Sequence, residues 1–179
     1  MPKTTFIPTR PPISQPSELY EYSNEHVFYE VDMFFNSILA RKMKLQGASE
    51  PLLHFLSMAR IEAFVLHFRN LVTFLYPDYY RPKPDDVLAH HFFSGTAPWD
   101  TWLKARPLRS STLEEGKARA DKEMAHLTTM RIAGVQPQKT WDDIALGNEI
   151  RDCLNTLIEM ADPNSLGPKV KAAIPIGPL

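Results

Sequence analysis

Apolar residues recur at helical spacing through the middle of the chain. Val27, Val31, Phe34, Phe35 and Ile38 fall at i, i+4, i+7, i+8 and i+11, which is one face of an α-helix. Ser23 or Asn24 is placed to cap its start, and Gly47 to end it in the left-handed conformation. Ser49 then caps a second helix, with Glu50 and Pro51 in its first turn, that runs to about Tyr76 before Pro77. A third helix spans about Ser111 to Ile132 on Leu113, Ala120, Met124 and Leu127, and stops at Gly134 and Pro137. A fourth starts at Thr140, paired with Asp143 in the manner of a capping box, and closes at Asp162-Pro163. It is lined by Trp141, Ile144, Ile150, Cys153, Leu154, Leu157 and Ile158. Residues 77–110 hold Pro77, Pro82, Pro84, Pro98 and Pro107 and read as a long connection. Within it Asp85 is placed to cap a short helix through Val87, Leu88 and Phe92, and Trp99 and Trp102 share one side of a further turn. No strand-like alternation and no internal repeat interrupts this pattern. The prediction is an all-α fold, a four-helix bundle with a long Pro-rich crossover between its second and third main helices.

Composition sharpens the boundaries. The chain has 16 Pro in 179 residues, about 9% against a usual ~5%. Five lie in residues 1–16 and four in 163–179. Pro fixes φ and removes a donor, so both segments read as extended terminal tails that order only by docking. That leaves a single helical-bundle domain over 17–162. Lys3 and Arg10 are not followed by an apolar run of signal-peptide length. Without an export signal, a lone Cys points to the cytoplasm and excludes a disulfide framework or thiolate zinc cluster. Twenty Lys and Arg against 21 Asp and Glu give a net charge of −1. That balance argues against a general binder of double-stranded DNA, which carries an excess of cations.

The second helix is apolar on all sides, from Leu53, Phe55 and Leu56 to Leu71, Val72 and Phe74. Such a helix is central to a bundle or spans a membrane. Arg60, Glu62, His67, Arg69 and Asn70 sit mid-segment, and each ionised group would cost about 2.5 kcal/mol or more at a bilayer centre. The helix is therefore expected at the centre of the bundle, and no membrane partner is expected. Glu62 and Arg69 lie within about 20° of each other, two turns apart, and Thr73 continues their stripe. Arg60 and His67 form a second stripe. These stripes read as a solvent seam, a buried ion network that fixes register, or the wall of a ligand pocket.

Candidate chemistry centres on His126. At helical spacing Arg119, Lys122, Glu123, His126 and Met130 share one face of the third helix, opposite its apolar stripe. A His beside a cation can move a proton while the cation holds a phosphate, although a mixed-charge stripe also serves as a solvated face. Glu123-x-x-His126 is half of the pair of Glu-x-x-His motifs a di-iron bundle requires, and no second one exists, so no metal site and no cofactor are assigned. Cys153 sits on the apolar face of its helix and reads as a core residue. Trp99, Trp102, Lys104, Arg106 and Arg109 could stack on and pair with nucleic acid, or plug a core.

Taken together, Glu62…His67-x-Arg69-Asn70 and the later Lys122-x-x-Ala125-His126-Leu127 resemble an uncharacterised family of small bacterial all-helical proteins and, through it, the HEPN superfamily of helical bundles. That superfamily is marked by Arg, a polar residue, then four to six positions and a His, and is known for metal-independent RNA cleavage in dimers. Arg119 and His126 match the spacing at its upper limit, with Ala120 where the polar residue stands in the family. The resemblance implies an RNA partner, a homodimer and an endoribonuclease-like activity. His126 would be the general acid or base and Arg119 the phosphate-stabilising group. Glu62, Arg69, Asn70, Lys122 and Glu123 would organise them. Two other readings stand beside it. One is a non-enzymatic helical interaction protein with structural polar networks, and the other a small-ligand or metal-binding bundle.

Overall fold

The computed structural model of the chain describes residues 15–43, 47–80, 83–125, 140–177 and 179, with the side chains of 123–125 left out. The first helical segment, α1 (Pro16–Tyr22), begins about two turns before the cap read from the sequence. Pro16 stands at N1, where its missing N–H is no loss. The chain continues through a π-helical turn at Ser23–Val27 into α2 (Phe28–Leu39). Ser23 and Asn24 cap nothing at the start of α2. They reach across the fold instead. Ser23 Oγ accepts from the Gly167 N–H (2.7 Å) and Asn24 Oδ1 from the Lys169 N–H (3.2 Å).

Gly47 has the left-handed φ of 76° expected of it but does not end the helix, which stops at Leu39 and passes into a 3₁₀ turn at Ala40–Lys42. Ser49 is the N-cap of α3 (Glu50–Leu75), and the helix ends ahead of Pro77. Inside the bundle α3 packs against α2, α5 (Ser111–Ala125) and α6 (Asp143–Met160). Phe34 of α2 stacks on Phe64 and Phe68 of α3 with ring centroids 5.5 and 6.4 Å apart, and Trp141 closes the cluster edge-on at 5.9 and 6.3 Å. Burial of α3 is one-sided, however. Phe64, Val65, Phe68, Leu71, Val72 and Leu75 are buried, but Leu52, Phe55, Leu56, Met58 and Leu66 are exposed. The expectation of a helix surrounded on all sides is corrected accordingly: its second apolar face looks outward.

The crossover is more ordered than its prolines suggest. It holds 3₁₀ turns at Pro77–Tyr79 and Ala89–Phe92 and a helix, α4 (Thr96–Ala105). The short helix expected from Asp85 is only the second of those turns. Trp99 and Trp102 are buried together in α4, centroids 4.9 Å apart, with Phe93 against both. Arg106 is buried as well. Its Nη1 donates to the Leu75 carbonyl at 2.6 Å, which satisfies an orphan group at the end of α3, and its Nη2 donates to both carboxylate oxygens of Asp78 at 2.7 Å. Trp99, Trp102 and Arg106 are core, Arg109 is half-buried over the Tyr79 ring and only Lys104 is exposed, so the two indoles and Arg106 are not available to stack on or pair with nucleic acid.

At the start of α6 the cap is Asp142, which accepts from the Ala145 N–H at 3.0 Å. Asp143, expected to pair with Thr140, instead accepts from Arg41 (3.2 Å) and Arg60 (3.1 Å) and ties the 3₁₀ turn after α2 (Ala40–Lys42), α3 and α6 together. The expected end of the third helix, residues 126–132, lies outside the described residues, as does the tail at 1–14. The C-terminal segment is docked rather than extended. It forms α7 (Pro168–Ala172), again with Pro at N1, and buries Ser165, Val170 and Ile174. Among the described residues the fold is all-helical, and no helix is long and apolar enough to cross a membrane.

Candidate functional site

Beyond Leu66 the outward face of α3 turns polar. Asn70, Arg69 and Thr73 lie there and form the floor of a cleft of about 790 Å³. One wall comes from Tyr22, the π-helical turn and α2, the other from α5, and residues 83–88 close the end. A π-helical turn adds one residue to a helix and rotates the residues beyond it about the axis. Here it brings His26 and Val27 to the cleft alongside Glu30.

Two fixed networks line the walls. On the α2 side, His67 Nδ1 donates to Glu30 Oε2 at 2.8 Å, and Asn70 Nδ2 donates to the same oxygen at 3.1 Å. His67 is buried, with Tyr29 edge-on to its ring. On the α5 side, Asp121 accepts from Arg69 Nε at 2.6 Å and from Lys117 Nζ at 2.8 and 2.6 Å. Lys117 is buried, and its ammonium also sits 4.8 Å from the centre of the Tyr80 ring.

These networks set the local electrostatics. Burial raises the Asp121 pKa, but the hydrogen bonds and charges of Lys117 and Arg69 outweigh it and hold the carboxyl below its ordinary value. One carboxylate between two cations leaves this side of the cleft, Arg69 of the floor included, net positive. The other wall is negative. Burial, then Glu30, then Asp86 push the Tyr22 phenol upward. Among the described residues, Arg69 Nη1 and Nη2, Glu30 Oε1 and the Tyr22 hydroxyl make no hydrogen bond, and all three residues line the cleft.

The residues singled out from the sequence divide. Arg69 and Asn70 line the cleft. Glu62 is exposed on the same helix, two turns before Arg69, and Lys122 is exposed on α5. Arg119 points away from the cleft, because residues two apart on a helix project about 160° apart and Asp121 faces α3. Its guanidinium lies 4.1 Å over the Trp141 ring, and Nη1 donates to the Thr140 carbonyl at 2.8 Å. His126 and the Glu123 side chain lie outside the described residues. Arg60 and His67, the second stripe, are both anchored to carboxylates as structural pairs.

Sequence reasoning passed over Glu30, Lys117 and Asp121. The i, i+4 spacing of Lys117 and Asp121 was the available signal. Glu30 carries none, since its partners lie 37 and 40 residues away. Among the described residues no group of three or more His, Cys, Asp or Glu is arranged to hold a metal ion. Cys153 is a buried core residue whose thiol burial pushes up to about 12. No family model matches the chain, and neither curated proteins nor solved structures include one significantly similar to it.

Proposed function

We propose that the chain is a small-ligand-binding helical bundle, and that its cleft takes a polar molecule carrying an acidic group and a basic one. The observation that supports this reading is the pair of opposed walls. The free edge of Arg69, backed by Lys117, suits a carboxylate or phosphate. The free oxygen of Glu30, with Tyr22 and the Asn70 carbonyl beside it, suits an amine. The cleft volume lies within the ~300–1,000 Å³ of ordinary ligand sites. The Glu30 wall is braced by hydrogen bonds from His67 and Asn70 and the Asp121 side by its ion pairs, so the polar atoms are positioned before a ligand arrives. A cytoplasmic setting agrees with the lone, buried thiol.

Free amino acids, their amides and their N-acetyl derivatives test the reading by calorimetry and amide-shift titration. A zwitterion should bind at least tenfold more tightly than either singly charged derivative, with shifts confined to the cleft. Arg69→Gln, whose side chain is two-fifths exposed, should erase the preference for the free acid. Equal binding of all three classes, or none, would sink the proposal. The ribonuclease reading rests on Arg119 and His126, and the Arg119 guanidinium is already engaged by Trp141 and Thr140. Cleavage of mixed RNA that disappears in His126→Ala would restore it.

A further inference from the structure

Helix α3 carries two apolar faces on opposite sides. The inward one is the Phe64–Phe68–Leu71–Leu75 stripe in the core. The outward one is Leu52, Phe55, Leu56, Ala59, Ala63 and Leu66. At 100° per residue these six fall within an arc of about 100°, centred opposite Phe68. Phe55 is 65% exposed, Leu52 46%, Leu66 42% and Leu56 38%, with both alanines half-buried. They form one continuous strip about 21 Å long. Its apolar area is roughly 400 Å², in the range of the largest apolar patch on an ordinary monomer, which is often a functional one. No charged side chain falls inside the arc.

We infer that this strip is a self-association face, and that its occupant is the same strip of a second copy lying antiparallel. The order of sizes along it supports that partner. Bulky residues stand at the ends and the two alanines stand between them. When the strip is turned end for end about Ala59, Leu52 meets the partner's Leu66 and Phe55 meets the partner's Ala63. Ala59 then lies against its own counterpart, where two methyl groups let the helices approach closely. A two-fold interface must be complementary to itself, and this one places the large ring of each copy over the small residue of the other. Electrostatics permit it. The net charge of −1 gives the copies little mutual repulsion. In this register the two Glu62 carboxylates, at the edge of the strip, stay about 9 Å apart along the axis. Two strips bury about 800 Å² with their rims added, which is small for a stable complex, so the dimer is weak and concentration-dependent.

The full chain tests this by sedimentation velocity and by cysteine pairing. The wild type should shift from monomer to dimer as concentration rises through the micromolar range. Phe55→Lys should raise the dissociation constant at least tenfold while leaving the circular dichroism unchanged. Cys153 is fully buried, so an introduced thiol reacts alone. Ala59→Cys should oxidise to a covalent dimer much faster than Leu108→Cys, a control at an 87% exposed position. A mixture of Leu52→Cys and Leu66→Cys proteins should crosslink, and neither should do so by itself. A wild type that stays monomeric at every concentration overturns the inference. So does Ala59→Cys pairing no faster than the control, or Leu52→Cys pairing alone, which would mean a parallel arrangement.

Discussion

Asp121 is the residue on which the cleft turns. It sits beside two cations, one of them the buried Lys117, so removing its charge leaves an ammonium inside the protein without a counter-ion. We predict that Asp121→Asn costs about 1–2 kcal/mol at pH 7, a figure reduced from that of a fully buried pair because Asp121 and Arg69 are each about two-fifths exposed. The pH dependence has a definite sign. The folded-state pKa is depressed, so this contribution is complete above the unfolded value of about 3.9 and fades as pH falls through the lower folded value. Urea unfolding of wild type and variant should give a constant gap from pH 5 to 7 that narrows below pH 4. A gap that widened there would mean that Asp121 is not held by its neighbours. Removing both charges together, as Lys117→Met with Asp121→Leu, should recover much of the loss, since the buried ammonium goes with the carboxylate and only the part-exposed Arg69 is left unpaired.

At the level of elements, α6 meets α2 through a glycine. A Cβ on Gly147 would fall 2.7 Å from Ile38 Cδ1 and 2.5 Å from Leu179 Cδ1. Leu179 can swing aside, but Ile38 is locked in the core. Gly116 on α5 is looser, its Cβ meeting the Phe68 ring at 3.2 Å. Both lie inside helices, where Ala gains about 1 kcal/mol in propensity over Gly. Overpacking costs about 1–3 kcal/mol. Gly147→Ala should therefore destabilise by about 1 kcal/mol net, while Gly116→Ala stays within about 0.5 kcal/mol of wild type. Urea midpoints at unchanged slope check the contrast, and equal effects would show that α6 is not in close contact with α2.

The inward faces of α2, α3 and α6 were legible in the sequence because each is a periodic set of large apolar residues. The exposure of Leu52 and Phe55 was not. Periodicity shows that a face is apolar, but not that anything covers it. Likewise Arg69 and Asn70 stood out as polar residues in an apolar helix, while their partners Asp121 and Glu30 lie 52 and 40 residues away, beyond any local pattern.

For the whole molecule, the decisive contact is the return of the C-terminal segment to the π-helical turn and α2. Its prolines suggested a tail, yet Pro168 opens a helix, Val170 and Ile174 are buried, and the Gly167 N–H meets the buried Ser23 hydroxyl. Each buried aliphatic side chain contributes about 1.5–3 kcal/mol as an upper bound, while loss of the Gly167 bond costs little more, since the Ser23 hydroxyl still donates to the Tyr20 carbonyl. Ending the chain at Asp162 should therefore lower the unfolding free energy by roughly 3–5 kcal/mol, a large part of what a domain of this size has in hand. Cys153 offers a direct readout. It is fully buried in α6 with its thiol pushed up to about 12, so at pH 8 a thiol reagent reaches it only when the molecule opens. Every 1.4 kcal/mol of lost stability raises the open population about tenfold, so the truncated chain should label at least a hundred times faster than the full one. Labelling at the full-length rate would show that 163–179 rides on the bundle without bracing it, and the boundary drawn from the prolines would then be the correct one.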